Sequence, residues 1–141
     1  MTAETLLSNH YVTLWFHPED KIVHHQMHGF VPEALFREFL LAGVERMRRE
    51  QACKWLSDDR RNPVLAASLH EWARDHWFPQ AVAAGWKFWA IVQPEDMLGQ
   101  WSMERAVMDY RAQGIVARYF SDPDSAMQWL RQQPQAEASA A

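Results

Sequence analysis

The side chains best able to do chemistry in this chain are its histidines, its paired carboxylates and its single thiol. His24 and His28 share a strand face, but four residues of strand set them roughly 13 Å apart, too far for one ion. His24 and His25 point to opposite faces, and His70 and His76 fall on different sides of a helix. A metal site is therefore not expected. Nor is a cofactor: the glycines are scattered singly, without a phosphate-cradling run. Cys53 opens an apolar strand, where a thiol is an inert core residue. No serine sits in a nucleophile elbow. Asp58 and Asp59 end a strand ahead of a helix, where α/β folds hold ligands and where acids also satisfy loop amides. The structural role is the expectation, with Asp58 kept as a binding candidate. No catalytic residue is assigned; a small hydrolase or metal enzyme using Asp58, His70 or His76 is the catalytic alternative.

Ser68-Leu69-His70-Glu71 has the form of a capping box, with serine at the cap and glutamate three residues on. A phosphoryl group on Ser68 would also be tolerated at a helix N-terminus. Capping is the expectation, and Ser68 stays among the binding candidates. The aromatic residues are the other candidates. Eight tryptophans are many for a chain of 141 residues, and Trp72, Trp77, Trp86, Trp89 and Trp101 cluster in its middle. Three uses are open: a tryptophan-rich core, a subunit interface, or an apolar pocket in which Trp72, Trp77, Trp89 and Trp101 bind a lipophilic molecule.

These residues must be positioned by one domain, which a chain of this length supports with a real core. The net charge of −4 argues against general nucleic-acid or anionic-membrane binding. One cysteine excludes an internal disulfide framework and fits a reducing compartment. No apolar run approaches a membrane span, and Met1 to Leu7 lacks the pattern of a secretory signal. A cytoplasmic location without membrane insertion is the expectation.

The organising unit runs from Cys53 to Val92. A strand over 53–58 leads through the polar Asp59-Arg60-Arg61-Asn62-Pro63 to a helix over 68–84, stopped by Gly85, and then to a strand over 86–92. That order gives two parallel neighbours joined by a crossover helix. Pro79 should make the helix kink or restart. Upstream, 11–17 and 22–28 form a hairpin with Val12, Leu14, Phe16, Val23, His25 and Met27 on its core face. Tyr11, Trp15, His24, Gln26 and His28 lie on the other face, a possible dimer surface. Pro32 starts a helix with Leu35, Phe36, Phe39, Leu40, Gly43, Val44 and Met47 along one stripe. Downstream, 94–101 reads as irregular and Ser102 caps a helix that Gly114 ends as a left-handed residue. A strand over 115–120 follows, and Asp122-Pro123 begins a last helix. Residues 1–9 read as a flexible lead-in, 10–132 as the domain and 133–141 as a disordered tail. The fold class is α/β, a single mixed sheet with flanking helices in the order ββαβαβαβα.

The motifs Lys54-Trp55-Leu56-Ser57-Asp58, Glu71-Trp72, Trp77-Phe78-Pro79, Ala90-Ile91-Val92, Pro94-Glu95-Asp96 and Arg118-Tyr119-Phe120-Ser121-Asp122 resemble, in order and spacing, the SpoIIAA-like proteins of bacteria, a STAS/SEC14-like family. The resemblance spans roughly Tyr11 to Leu130. It implies a STAS-like arrangement, a homodimer and no established reaction. Anti-sigma-factor antagonists of STAS type carry a phosphorylated serine in an Asp-Ser-Ser-Gly-like run, which the segment around Ser68 lacks. The functional expectation is a non-catalytic binding or regulatory module, homodimeric, with a protein or small apolar ligand as partner. The alternative is a carrier of a small lipophilic ligand.

Overall fold

A computed structural model describes residues 2–61 and 65–136; Asn62, Pro63 and the tail residues 137–141 lie outside the described residues. The strands are β1 (Glu4–Ser8), β2 (Val12–His17), β3 (Ile22–Met27), β4 (Lys54–Asp58), β5 (Phe88–Val92) and β6 (Val116–Phe120). They form one mixed sheet in chain order, β1-β2-β3-β4-β5-β6. The first three pair antiparallel, and β3 to β6 run parallel. The α/β class and the mixed sheet thus match the sequence reading, with one strand more. Glu4–Ser8, expected as a flexible lead-in, pairs with β2 as an edge strand, and Glu4 holds Arg46 across it at 2.6 Å.

Three parallel crossovers that step the same way across a sheet with the same hand place their helices on the same face. The side chains agree. Helix α1 (Glu33–Glu50) contributes Phe36, Phe39, Leu40, Val44 and Met47 to one core, together with Val12, Leu14, Trp55, Trp89 and Ile91 of the sheet. The second crossover adds Leu69, Trp77, Phe78 and Ala81, and α4 (Met97–Ala112) adds Met103, Val107 and Tyr110. Helix α5 (Pro123–Gln132) alone covers the opposite face, where Ala126 and Leu130 pack on Leu56, Phe88, Ala90 and Val92.

The second crossover is broken as Pro79 requires. Helix α2 (Ala67–Trp72) passes into a π-helical turn, Ala73–Trp77, before α3 (Phe78–Ala83) restarts with Pro79 in its first turn. Proline has no N–H to give the preceding turn and its ring crowds the carbonyl four residues back; the wider turn closes instead through Phe78 N–H to Ala73 O. Two expected caps are displaced. Ala66 occupies the cap of α2, so Ser68 sits exposed inside the first turn and the capping box is not formed. Asp96 caps α4 by accepting from Gly99 N at 2.7 Å, so the helix starts a turn and a half ahead of Ser102 and takes in most of the stretch read as irregular. Gly114, at φ +104°, and Asp122, which accepts from Ser125 N, end α4 and begin α5 as expected. Residues 133–136, read as the start of a disordered tail, are anchored: Gln133 O accepts from Lys54 Nζ at 2.7 Å, and Ala136 packs on the second core.

Helix and sheet approach closely at Gly43, where α1 lies directly on the Trp55 indole. A Cβ at Gly43 would overlap Cη2 and Cζ3 of that ring, which is itself 1 % exposed and has no room to withdraw. Gly43→Ala is expected to destabilise the fold by about 1–3 kcal/mol through overpacking, in spite of alanine's better helix propensity. Urea melts followed by tryptophan fluorescence measure this; a neutral or stabilised variant would show that the ring does not set the α1–β4 spacing.

Candidate functional site

Between the sheet and its helix layer lies a cavity of about 70 Å³. Its walls are Trp55 from β4, Trp77 from the π-helical turn, Trp86 and Trp89 from β5 and its approach, and Tyr110 from α4, with Phe36 and Phe39 of α1 beneath. The indoles meet edge to face: Trp55 on Trp77 at 5.5 Å, Trp77 on Trp86 at 5.2 Å and Trp86 on Trp89 at 5.3 Å between ring centroids. Such geometry suits the aromatic quadrupole. Every indole N–H is committed inside the protein. Trp77 donates to Leu40 O, Trp86 to Phe88 O, Trp89 to Ser57 Oγ and Trp55 to His25 Nδ1.

The last of these bonds fixes the polar end of the cavity. An indole N–H only donates, so His25 Nδ1 presents its lone pair and the ring proton sits on Nε2. That proton is donated to Asp59 Oδ1 at 2.8 Å. Trp55, His25 and Asp59 thereby form a buried chain, 1 %, 4 % and 1 % exposed, with both His25 and Asp59 on the cavity wall. A carboxylate beside a histidine in a cleft is the arrangement an enzyme would need. Here neither imidazole nitrogen is free: one accepts from the indole and the other is tied to Asp59. As placed, His25 is a fixed neutral link and not a base.

His70 lines the cavity toward α4, and Ser102 lies beyond it in the outer groove. His70 Nε2 and Ser102 Oγ are 2.8 Å apart and bridge α2 to α4, and burial holds the His70 imidazole below its ordinary pKa. Outside them runs a groove of about 570 Å³ between the same helices, rimmed by Glu71, Arg74, Arg105 and Asp109. His70, Ala106 and Tyr110 line both spaces.

The residues singled out from the sequence separate. Trp77 and Trp89 line the cavity. Trp72 is half-buried at its margin under the Arg37 guanidinium, and Trp101 is 61 % exposed on α4, so neither faces the cavity. Asp58 points to the other sheet face, where Arg60 clamps both carboxylate oxygens at 2.9 and 2.8 Å. It is a structural ion pair. Because the parallel strands never reverse direction across the sheet, the fold has no topological switch point at their carboxyl ends; the space for a ligand lies beneath the helices. Ser68 and His76 are exposed. Among the described residues no three metal-ligating side chains converge. Asp59, weighed in the sequence and given a structural role, lines the cavity, and His25, Trp55 and Ser57 were missed. Period-two alternation through Trp55, Ser57 and Asp59 was the available signal.

On the opposite face of β2 and β3, Trp15, His24, Gln26 and His28 lie together as expected, but Tyr11 does not: it precedes β2 and packs with the helix-side core. His24 lies against Trp15, ring centroids 4.7 Å apart and planes tilted by 43°, and its Nδ1 is 3.1 Å from His17 Nε2, while its own Nε2 is buried with no partner among the described residues. Among the described residues no helix is long and apolar enough to cross a membrane. Comparison with models of protein families, with curated proteins and with solved structures finds no match to this chain.

Burial, reinforced by the neighbouring His17 and His25, pulls the His24 pKa from 6.5 down to about 3. The unfolded chain therefore takes up a proton below pH 6.5 that the folded chain refuses until about pH 3. The stability is full above pH 6.5 and drains as pH falls through that window. His24→Phe, which keeps a ring against Trp15, is expected to flatten this dependence in urea melts at pH 7, 5.5 and 4; an unchanged slope would place the acid sensitivity elsewhere.

Proposed function

We propose that this protein binds a small, largely apolar molecule in the cavity beneath its helix layer and performs no reaction on it. One observation carries the reading: an aromatic-walled cavity in which every indole donor is already satisfied, so that its walls offer ring surface more than hydrogen bonds. Small-molecule sites have this character, mostly apolar with a few placed polar groups. The engagement of both His25 nitrogens favours binding over catalysis. A lipophilic occupant also accords with the STAS/SEC14-like resemblance, which remains an expectation. Access would pass between α2 and α4, through the His70–Ser102 contact.

Toluene is a suitable neutral probe. Its addition is expected to shift the indole ¹H–¹⁵N resonances of Trp55 and Trp89 saturably, and Ala106→Phe, which fills the wall shared by cavity and groove, should abolish the shifts. Resonances that stay unmoved in the parent protein would rule out a neutral apolar occupant.

A second reading, a homodimer, rests on the sheet face that carries Trp15 and His24: α5 packs over β4, β5 and the start of β3 at Ile22, and among the described residues no helix covers Trp15 and His24. Two-fold pairing of such faces is the commonest form of association. Light scattering after size exclusion should give a dimer mass at micromolar concentration that Trp15→Glu lowers; a monomer mass for the parent protein refutes the pairing.

A further inference from the structure

We infer that the cavity selects a small organic cation, an ammonium group carrying apolar substituents, and that Asp59 is the residue that reads its charge. The inference rests on the proposed binding role of the cavity and specifies its occupant. Asp59 lies on the cavity wall with its side chain 2 % exposed. A buried carboxylate calls for a compensating positive charge, and among the described residues none is bonded to it. The only side chain bonded to it among the described residues is His25, which the Trp55 N–H keeps in the neutral form. Arg60, the next residue in the chain, is spent on Asp58. Among the described residues no lysine or arginine pairs with Asp59.

The rest of the wall has the same preference. The indole donors are committed to internal acceptors, so the tryptophans that line the space bring no free N–H to it, and Asp59 lines the same space. Aromatic faces attract cations through their quadrupole, most strongly when desolvated, and tryptophan is the best of them. Four tryptophans and one tyrosine thus line the same space as a buried carboxylate, to which an ammonium brings the missing charge. An anion would meet Asp59 with no donor to offset it. Size sets a further limit: at about 10–15 Å³ for each water-sized occupant, 70 Å³ admits a group of roughly five to seven non-hydrogen atoms. A trimethylammonium group with a short substituent fits that limit. A long acyl chain does not.

The test uses choline and its neutral counterpart of matched shape, 3,3-dimethylbutan-1-ol, each titrated into the full-length protein and followed by the indole ¹H–¹⁵N resonances of Trp55 and Trp89. Choline is expected to bind at least about tenfold more tightly than the alcohol. Asp59→Asn keeps an oxygen to accept the His25 proton and removes the charge; it is expected to weaken choline binding and bring the two probes to similar affinity. Equal affinities in the parent protein would overturn the inference while leaving the cavity a binding site for neutral molecules. Retained choline preference in Asp59→Asn would overturn the role of Asp59. Absence of shifts with choline, the alcohol and toluene alike would remove the binding role itself. Should Asp59→Asn fail to fold, the comparison of the two probes on the parent protein still decides.

Discussion

The hydrogen bond from the Trp55 indole to His25 Nδ1 is the contact on which the interior depends. Trp55 stands in the middle of the sheet, under Gly43 of α1 and against Trp77 and Trp86. Its N–H cannot be left unpaired there without a cost of about 1–3 kcal/mol. Once given to His25, it settles which nitrogen of that ring carries the proton, and the proton so placed holds the Asp59 carboxylate. A packing decision in the central strand thereby fixes the electrostatic character of the cavity. The neighbouring acid, Asp58, lies on the other face of the same strand and meets a guanidinium. Two adjacent aspartates end up with opposite surroundings because a strand sends successive side chains to opposite sides.

The sheet order explains why the cavity exists on one side only. Successive parallel crossovers without a reversal load α1, the broken second helix and α4 onto the same face, while α5 alone serves the other. Much of the space between strands and helices on that face is filled by flat, rigid indoles joined edge to face. Close packing in protein interiors relies on side chains that interdigitate. A ring of large planes leaves space at its centre.

The element order from β2 onward could be read from the chain because each element carries a local mark. Pro79 announced the break in the second helix, Gly114 the left-handed end of α4, and Asp122-Pro123 the start of α5. What the chain concealed depends on partners distant in sequence. β1 is short and half-polar, and only its pairing with β2 makes it a strand. Ser68 and Ser102 each have the chemistry of a cap, but nothing local told that the helices begin earlier, at Ala67 and Met97. Alternation sends Asp58 and Asp59 to opposite faces, but β4 is buried on both, so nothing local told which of the two faces holds the cavity. The division of the tryptophans into cavity wall, margin and surface belongs to the same class.

The π-helical turn between α2 and α3 is equivalent to a single inserted residue. Each residue advances a helix by about 100° of rotation. The phase of everything after Trp77 is therefore offset from that of Leu69 and Ala73, and the offset brings Phe78 and Ala81 back onto the core after the break. An uninterrupted α-helix of the same length would carry Trp77 and Gln80 to the places that Phe78 and Ala81 hold, and would turn the Trp77 indole away from Trp55. The wide turn absorbs the extra residue locally, so that the core face of α3 stays in step with that of α2.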